Sequence, residues 1–299
     1  MNSEIIRKSF WKEQKKEDMY MRAVRTILII VFVISFGIFG VSELIQISSR
    51  DTTVPEIASD RDVLEIPCEY TDEQLLEGLT ASDGTDGDLT GQIIAGSFSR
   101  FIEKGLCSLT YVVFDSSNQS ASLTRQVRFT DYHSPRFTLT EPLVFREGQG
   151  SYTEAMERLG AEDLLDGDLD EWIVQTDTDL NYQTPGSYTM TVEVGNSFGD
   201  TVSAGLPVHV LTAEQSALTV RLNTAILYAG VGESIDPMAY VDGVTDAAGN
   251  ELGTDIVSAF SSVDTGTPGV YEIRYEAYDG SGSMGQTWLT VIVEEEVAG

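Results

Sequence analysis

Hydrophobic residues follow two different patterns along this chain, and the first is a continuous apolar run near the N-terminus. Between Ile27 and Val41 no side chain is charged, and Ser35 is the only polar one. A helix of about 20 residues crosses the roughly 30 Å hydrocarbon core of a bilayer. Such a helix also satisfies its backbone N–H and C=O groups internally, as lipid requires. The run therefore predicts one transmembrane helix over residues 26–45.

The second pattern, an alternation of apolar and polar residues, fills the rest of the chain. Three clear runs are CSLTYVVFD, YTMTVEVGN and YEIRYEAYD, which begin at Cys107, Tyr188 and Tyr271. Each is followed by a cluster of Gly, Asn, Ser or Asp. A period of two residues predicts strands with one buried face, and the clusters predict turns between them. We therefore expect an all-β architecture after the helix.

The alternating runs belong to an internal repeat of about 80 residues. The triplet at 105–107, Gly-Leu-Cys, returns as Gly-Ser-Tyr at 186–188 and as Gly-Val-Tyr at 269–271. The motif DGDLT at 86–90 returns as DGDLD at 166–170. Segments of this length have modest cores, and about seven short strands in each is the expectation for a small sandwich.

We therefore expect three modules, at 54–132, 133–212 and 216–296, behind a polar connector at 46–53. In the second module, the segment 152–165 also predicts one or two helical turns before the acidic motif.

Charge is distributed unevenly about the apolar run. The residues before Thr26 include seven basic and four acidic ones, whereas the residues from Leu44 onward include 11 basic and 43 acidic ones. Positive charge beside a membrane helix tends to stay cytoplasmic. We expect residues 1–25 to be a cytoplasmic basic tail and the modules to be extracellular, in a single-pass topology at the cell membrane. The net charge of −30 argues against nucleic acid as a partner.

A cleaved signal peptide is the alternative to a membrane anchor. The apolar run exceeds the usual length of a signal peptide's hydrophobic region, and no small-x-small cleavage site follows it. The sequence therefore favours an uncleaved signal anchor that contacts membrane lipid through residues 26–45.

The motifs of the first two modules form a familiar set. In the first module Pro55 opens a strand, Ala81-Ser82-Asp83 precedes DGDLT, and a turn at Asp115–Asn118 ends the alternating run. This set resembles the bacterial immunoglobulin-like domains that occur in tandem on surface proteins of Gram-positive bacteria, related to hyalin-type repeats. The resemblance implies three tandem Ig-like antiparallel β-sandwiches that act as spacers or adhesion modules. The third module departs from it, because VTDAAGNELGTDI replaces the acidic motif.

The chain has two cysteines, Cys68 and Cys107, and both lie in the first module. In an oxidising compartment such a pair favours a disulfide, and two separate buried thiols are the alternative. The resemblance suggests that the tyrosine of each Gly-x-Tyr triplet forms a tyrosine corner, in which its hydroxyl bonds to nearby backbone. Cys107 occupies that position in the first module, so our hypothesis is that a Cys68–Cys107 disulfide replaces the tyrosine.

The strongest candidate for metal chemistry is the repeated acidic motif. Its aspartates are Asp83, Asp86 and Asp88 in the first module and Asp163, Asp166 and Asp168 in the second. Closely spaced carboxylates suit Ca²⁺, which takes six to eight oxygen ligands in flexible loops. The alternative is structural, with Asp-Gly forming a turn and the carboxylates capping backbone N–H groups. Asp131, at the junction of the first two modules, is a candidate additional ligand.

The sequence gives little support for a catalytic function. The two histidines, His133 and His209, fall in no recognisable motif, so we expect no enzyme. Trp172 and Trp288 either stack on sugars or pack in the fold.

The sequence predicts a non-catalytic adhesion, binding or spacer protein at the bacterial cell surface, whose partner is an unknown protein or a cell-envelope polymer. One alternative is an accessory or sensory subunit of a membrane complex. Another is a carbohydrate-binding surface protein.

Overall fold

The structure is a computed structural model that describes residues 20–21, 24–43, 45 and 51–295. A helix, α1, runs over Val24–Glu43 and is long and apolar enough to cross a membrane. Most of the predicted basic tail and residues 46–50 of the connector lie outside the described residues. The chain divides into two compact units, and the smaller contains α1 with segments 51–57, 81–92 and 113–121.

The rest of the described chain is almost entirely β, as the alternating pattern predicts. Seven strands and one helical turn make up what we call domain one: β1 (Glu56–Ser59), β2 (Val63–Ile66), α2 (Asp72–Leu75), β3 (Leu79–Asp83), β4 (Gly87–Asp88), β5 (Ile94–Phe98), β6 (Leu106–Phe114) and β7 (Ser120–Phe129). They form two sheets, with strand orders β1-β3-β4 and β2-β7-β6-β5.

Domain two repeats this arrangement. Its elements are β8 (Arg136–Leu139), β9 (Val144–Arg146), α3 (Tyr152–Arg158), β10 (Leu159–Asp163), β11 (Gly167–Asp168), β12 (Val174–Thr178), β13 (Gly186–Gly195) and β14 (Thr201–Leu211). The sheet orders are β8-β10-β11 and β9-β14-β13-β12. Helix α3 lies in the segment predicted to hold helical turns, and the Ser151 hydroxyl accepts from the N–H of Glu154 at its start.

Domain three has the same two-sheet plan without a regular α-helix. Its strands are β15 (Thr219–Leu222), β16 (Ile226–Gly230), β17 (Val241–Thr245), β18 (Glu251–Leu252), β19 (Val257–Ser261), β20 (Gly269–Tyr278) and β21 (Met284–Glu294). The sheet orders are β15-β17-β18 and β16-β21-β20-β19. The predicted fold class, tandem Ig-like sandwiches behind one apolar helix, is therefore confirmed.

One feature of the sheets differs from a purely antiparallel plan. Each four-stranded sheet contains one parallel pair: β2 with β7, β9 with β14, and β16 with β21. Parallel pairing requires a crossover connection rather than a hairpin, and periodicity within a strand carries no information about the direction of its neighbour.

The cores lie on the faces that the alternation predicts. In β20, Ile273, Tyr275 and Ala277 are completely buried, and in β13 Met190 and Val192 are buried in the same way. Full burial of such side chains contributes about 1.5–3 kcal/mol each.

The Gly-x-Tyr tyrosines have the predicted tyrosine-corner contact. The Tyr188 hydroxyl donates to the Thr184 carbonyl at 2.8 Å, and the Tyr271 hydroxyl donates to the Thr267 carbonyl at 2.9 Å. Each hydroxyl thus ties the start of its strand to backbone four residues earlier.

Domains two and three share side-chain contacts as well as a linker. Ala225 of domain three belongs to the hydrophobic core of domain two, and Ile226 and Val270 pack against that core. The Tyr228 hydroxyl also donates to the Phe137 carbonyl at 3.1 Å. The two domains are therefore joined by an apolar interface.

Candidate functional site

The clearest candidate site is a group of aspartates in the smaller unit. Asp51, Asp83 and Asp86 each place a carboxylate oxygen within 4.8 Å of the other two. Asp51 precedes β1, and the other two lie at and after the end of β3. We call these three aspartates the acidic site.

The β3–β4 hairpin places Asp83 through local backbone bonds. Asp83 Oδ1 accepts from the N–H groups of Asp86 at 3.0 Å and Thr85 at 2.7 Å, and these bonds lower the pKa of Asp83. Gly87 follows with φ of 77°, a conformation that glycine adopts without steric cost. The turn predicted for Asp-Gly is thus present, and it directs Asp83 and Asp86 to the same side.

The residues before β1 bring in a carboxylate that the motif search missed. Asp51 Oδ1 accepts from the hydroxyl of Thr53 at 2.6 Å and its N–H at 2.9 Å, and from the Thr85 hydroxyl at 2.9 Å. The pKa of Asp51 is lowered, most strongly by the Thr53 hydroxyl.

The β6–β7 turn completes the surroundings of the acidic site. Ser116 donates its N–H and its hydroxyl to the two carboxylate oxygens of Asp86, at 2.7 and 2.9 Å. Gln119 donates its side-chain amide to the backbone carbonyls of Asp51 and Thr53. Three segments distant in sequence therefore meet at one place.

A buried fourth carboxylate, Asp115, begins the same turn. Its Oδ1 accepts from the N–H groups of Ser117 and Gln119, at 2.9 and 2.7 Å. Its Oδ2 is buried without a hydrogen-bond partner, and so are Oδ2 of Asp51 and Oδ2 of Asp83. Buried polar atoms are nearly always satisfied, so three unpaired carboxylate oxygens in one small unit are exceptional.

The structure reassigns the predicted metal ligands of domain one. It brings Asp83 and Asp86 together with Asp51, whereas Asp88 is not part of the group. Asp88 Oδ1 instead accepts from the Thr90 N–H at 2.9 Å, which is the capping role weighed as the alternative.

In domain two the matching aspartates are satisfied by protein donors. Asp163 Oδ1 accepts from the N–H groups of Leu165 and Asp166, while its Oδ2 accepts from the side-chain amide of Asn196 at 3.1 Å. Asp166 is bonded to Ser197 and Asp168 to the N–H of Asp170. Within the described residues these aspartates form no group comparable to the acidic site.

The proposed additional ligand, Asp131, is directed elsewhere. Its Oδ1 accepts from the backbone N–H of Cys68 at 2.7 Å. Burial and this aspartate together raise the pKa of the Cys68 thiol to about 12.

Cys68 and Cys107 are both buried free thiols in the structure, so the hypothesised disulfide is not formed there. Cys107 Sγ lies 3.8 Å from the Val127 carbonyl, and burial raises the pKa of this thiol to about 11. A disulfide in the oxidised protein stays a prediction, which mass spectrometry of non-reduced peptides tests.

His209 is a buried residue between domains two and three. Its Nε2 lies 2.5 Å from Glu272 Oε1, its Nδ1 lies 3.0 Å from Ser187 Oγ, and its ring stacks on Trp288 at 3.8 Å. The imidazole is only 3% exposed, so this Ser-His-Glu row has no open face at the histidine for a substrate. The row is a contact between domains two and three.

Comparison with known proteins agrees with the fold. Residues 238–293 match the family model described as bacterial surface protein, Ig-like domain. The sandwich recurs three times along the chain. The matched segment, residues 238–293, is thus similar to the Ig-like domains of bacterial surface proteins, and the same sandwich plan recurs in domains one and two.

The chain spans less than a third of the length of the two curated relatives that it matches. The pesticidal crystal protein Cry22Aa of Bacillus thuringiensis is 28% identical over 220 residues, which is 72% of this chain and 29% of that protein. An uncharacterised 81.3 kDa protein of Acholeplasma phage L2 is 29% identical over 140 residues, which is 46% of this chain and 19% of that protein. The lipoprotein BT2262 of Bacteroides thetaiotaomicron is a structural neighbour with 26% identity and a TM-score of 0.22, covering 27% of this chain and 40% of its own.

Proposed function

We propose that this chain is a membrane-anchored surface protein whose extracellular Ig-like domains bind a protein or cell-envelope polymer without catalysis. The carrying observation is α1 in front of the tandem domains. It has 20 residues, and its apolar side chains are not buried within the described part of the protein. Exposed apolar side chains over this length are stable in the hydrocarbon core of a bilayer.

The contact between domains two and three supports binding at a defined surface. Besides the shared core, Arg136 pairs with Glu294 at 2.7 Å, and His209 stacks on Trp288 at 3.8 Å. Domains that share a core keep one arrangement, which reduces the ordering cost of binding.

The groove between these two domains is the candidate ligand surface. It has a volume of about 600 Å³, and its lining includes Arg146, Arg158 and Arg221. Clefts of this size at domain interfaces are common binding sites. Two of these guanidinium groups already have carboxylate partners, Arg158 with Glu154 and Arg221 with Glu251. The groove therefore supports a polar ligand that accepts hydrogen bonds, such as a cell-envelope polymer, rather than a strongly anionic one.

Carbohydrate binding is a second candidate, which one residue favours. Trp172 is 68% exposed at the end of a short 3₁₀ turn, whereas Trp288 is stacked on His209. An exposed indole is a platform for a sugar ring. Binding to a glycan array that is lost in Trp172→Ala and kept in Trp288→Phe would favour this candidate, and an array without signal would eliminate it.

The test of the anchored-surface proposal uses the full chain in a Gram-positive host. We expect external protease to digest the domains on intact cells, with the N-terminal tail protected until lysis. Digestion only after lysis would contradict the topology.

A second arm replaces residues 24–43 with an unrelated membrane helix. Cell-surface binding of the ligand should survive this exchange if the domains act alone. Loss of binding while the domains remain on the surface would instead support the accessory-subunit alternative, in which the helix recognises a membrane complex.

A further inference from the structure

We propose that Asp51, Asp83 and Asp86 bind one Ca²⁺ ion, with Asp115 supplying further negative charge beside it. The ion would join the segment before β1 to the β3–β4 hairpin. This site is independent of the ligand-binding surface proposed above, and the ligand set differs from the sequence motif by including Asp51 and excluding Asp88.

Charge balance is the first support. Segments 51–57, 81–92 and 113–121 contain six carboxylates and no lysine, arginine or histidine. Among the described residues, no salt bridge involves any of the four aspartates. Several carboxylates held close together without a cation repel one another.

The second support is independent of charge and comes from unpaired buried atoms. In the described part of the chain four buried side-chain polar atoms lack a hydrogen-bond partner, and three of them are Oδ2 of Asp51, Asp83 and Asp115. Asp83 is 7% exposed and Asp115 is 6% exposed. A buried carboxylate oxygen without a donor is costly, and a bound cation removes that cost.

The local donors cannot satisfy the cluster. The Thr53 hydroxyl lies 2.6 Å from Asp51 Oδ1 and 3.0 Å from Asp83 Oδ1. A hydroxyl has one hydrogen, so it can donate to only one of these carboxylates at a time. The Thr85 hydroxyl, 3.2 Å from that of Thr53, is already within reach of Asp51.

The geometry and chemistry of the acidic site favour Ca²⁺. Ca²⁺–oxygen bonds are about 2.3–2.6 Å long, so two ligands of one ion lie at most about 5 Å apart. The carboxylate oxygens here lie within 4.8 Å of one another. All candidate ligands are oxygens contributed by loops, and Ca²⁺ accepts such irregular sets whereas Mg²⁺ demands near-octahedral geometry.

Domain two provides an internal comparison, because the same hairpin there needs no ion. Asn196 stands at the start of its β13–β14 turn, where domain one has Asp115 at the start of the β6–β7 turn. The Asn196 amide donates to Asp163 Oδ2 at 3.1 Å, the oxygen whose counterpart in Asp83 is unpaired. The Asn196 amide therefore satisfies the second carboxylate oxygen of the hairpin aspartate in domain two, and we propose that Ca²⁺ does so in domain one.

The experiment titrates the EDTA-treated full chain in nanodiscs with CaCl₂ by isothermal titration calorimetry. We expect one site with a Kd on the order of 0.1–1 mM, the range of extracellular modules. Asp83→Asn should weaken binding at least tenfold, while the repeat-matched control Asp163→Asn should leave the Kd unchanged. Hydrogen exchange of the peptide spanning residues 51–57 should slow on Ca²⁺ addition in the wild type and in Asp163→Asn, but not in Asp83→Asn.

A second variant separates binding from folding. Asp115→Asn introduces the amide found in domain two, so it should raise the melting temperature without Ca²⁺ and weaken Ca²⁺ binding. The proposal is overturned by the absence of a binding heat up to 10 mM Ca²⁺, by equal Kd values for wild type and Asp83→Asn, or by equal affinity for Mg²⁺. Each of these results leaves the surface-anchoring proposal untouched.

Discussion

Single atoms decide what the repeated motifs do in this protein. The hairpin aspartates Asp83 and Asp163 make the same two backbone bonds through Oδ1. They differ at Oδ2, which meets the Asn196 amide in domain two and no donor in domain one. The motif could be found from its spacing, but its partners come from residues about 30 positions away.

The buried guanidinium of Arg125 is a second case in which one side chain supports local structure. It donates to the carbonyls of Leu75 and Glu77, each at 2.7 Å, and to the Tyr111 hydroxyl at 3.1 Å. The bond to Leu75 satisfies the last carbonyl of the four-residue helix α2, and the bond to Glu77 satisfies a carbonyl of the turn that follows it. Nothing in the alternating pattern of β7 marks this arginine as buried.

We predict that Arg125→Met destabilises domain one by about 3 kcal/mol, because both carbonyls lose their donor inside the protein. Urea unfolding followed by hydrogen exchange of β6 and β7 measures the change. Arg61→Met, which removes an exposed side chain that pairs with Asp60, is the control and should change stability little. Equal effects of the two substitutions would contradict this role.

At the scale of elements, turns and strand starts carry most of the polar bonding. Asp279, in the β20–β21 turn, accepts from the Ser281 hydroxyl and from the N–H groups of Ser281 and Ser283, each at 2.8 Å. These bonds, led by the Ser281 hydroxyl, lower the pKa of Asp279. The ionised form therefore favours the folded turn.

This shift predicts how the stability of domain three depends on pH. The contribution of Asp279 is present above the unfolded pKa of about 3.9 and is lost as pH falls through the lower folded value. Asp279→Asn should therefore flatten the loss of stability between about pH 5 and pH 2, and Ser281→Ala should flatten it partly. The pH dependence of stability is measured as urea midpoints from Trp288 fluorescence, in a background with Trp11→Phe and Trp172→Phe. If the stability of Asp279→Asn falls with pH in parallel with that of the wild type, the predicted role of Asp279 is wrong.

At the scale of the molecule, domains two and three depend on one another. Ala225 lies in the segment that connects β15 to β16 in domain three. Its side chain is 3% exposed and packs in the hydrophobic core of domain two. Side chains buried between two domains make their unfolding cooperative, because either domain loses apolar contacts when the other opens.

Ala225→Asp should therefore uncouple the two domains. A buried unpaired carboxylate costs several kcal/mol, and we expect the single calorimetric transition of domains two and three to split into two. The matched control is Ala248→Asp, at an exposed turn position, which should preserve the single transition. Two transitions in the wild type would refute the coupling.

The sequence alone determined the apolar helix, the all-β architecture and the tyrosine corners, because each depends on local pattern. A run of apolar residues needs no distant partner to be recognised, and the tyrosine-corner bonds that the family resemblance implies are local, since each closes within four residues.

Only the tertiary structure decided which residues form the acidic site and how the domains join. Asp51 meets Asp83 across 32 positions, and His209 meets Glu272 across 63. Such contacts depend on strand order and on how neighbouring domains pack, which periodicity does not encode. The repeat therefore predicted two equivalent acidic motifs, and the fold made them different by placing Asp51 beside one and Asn196 beside the other.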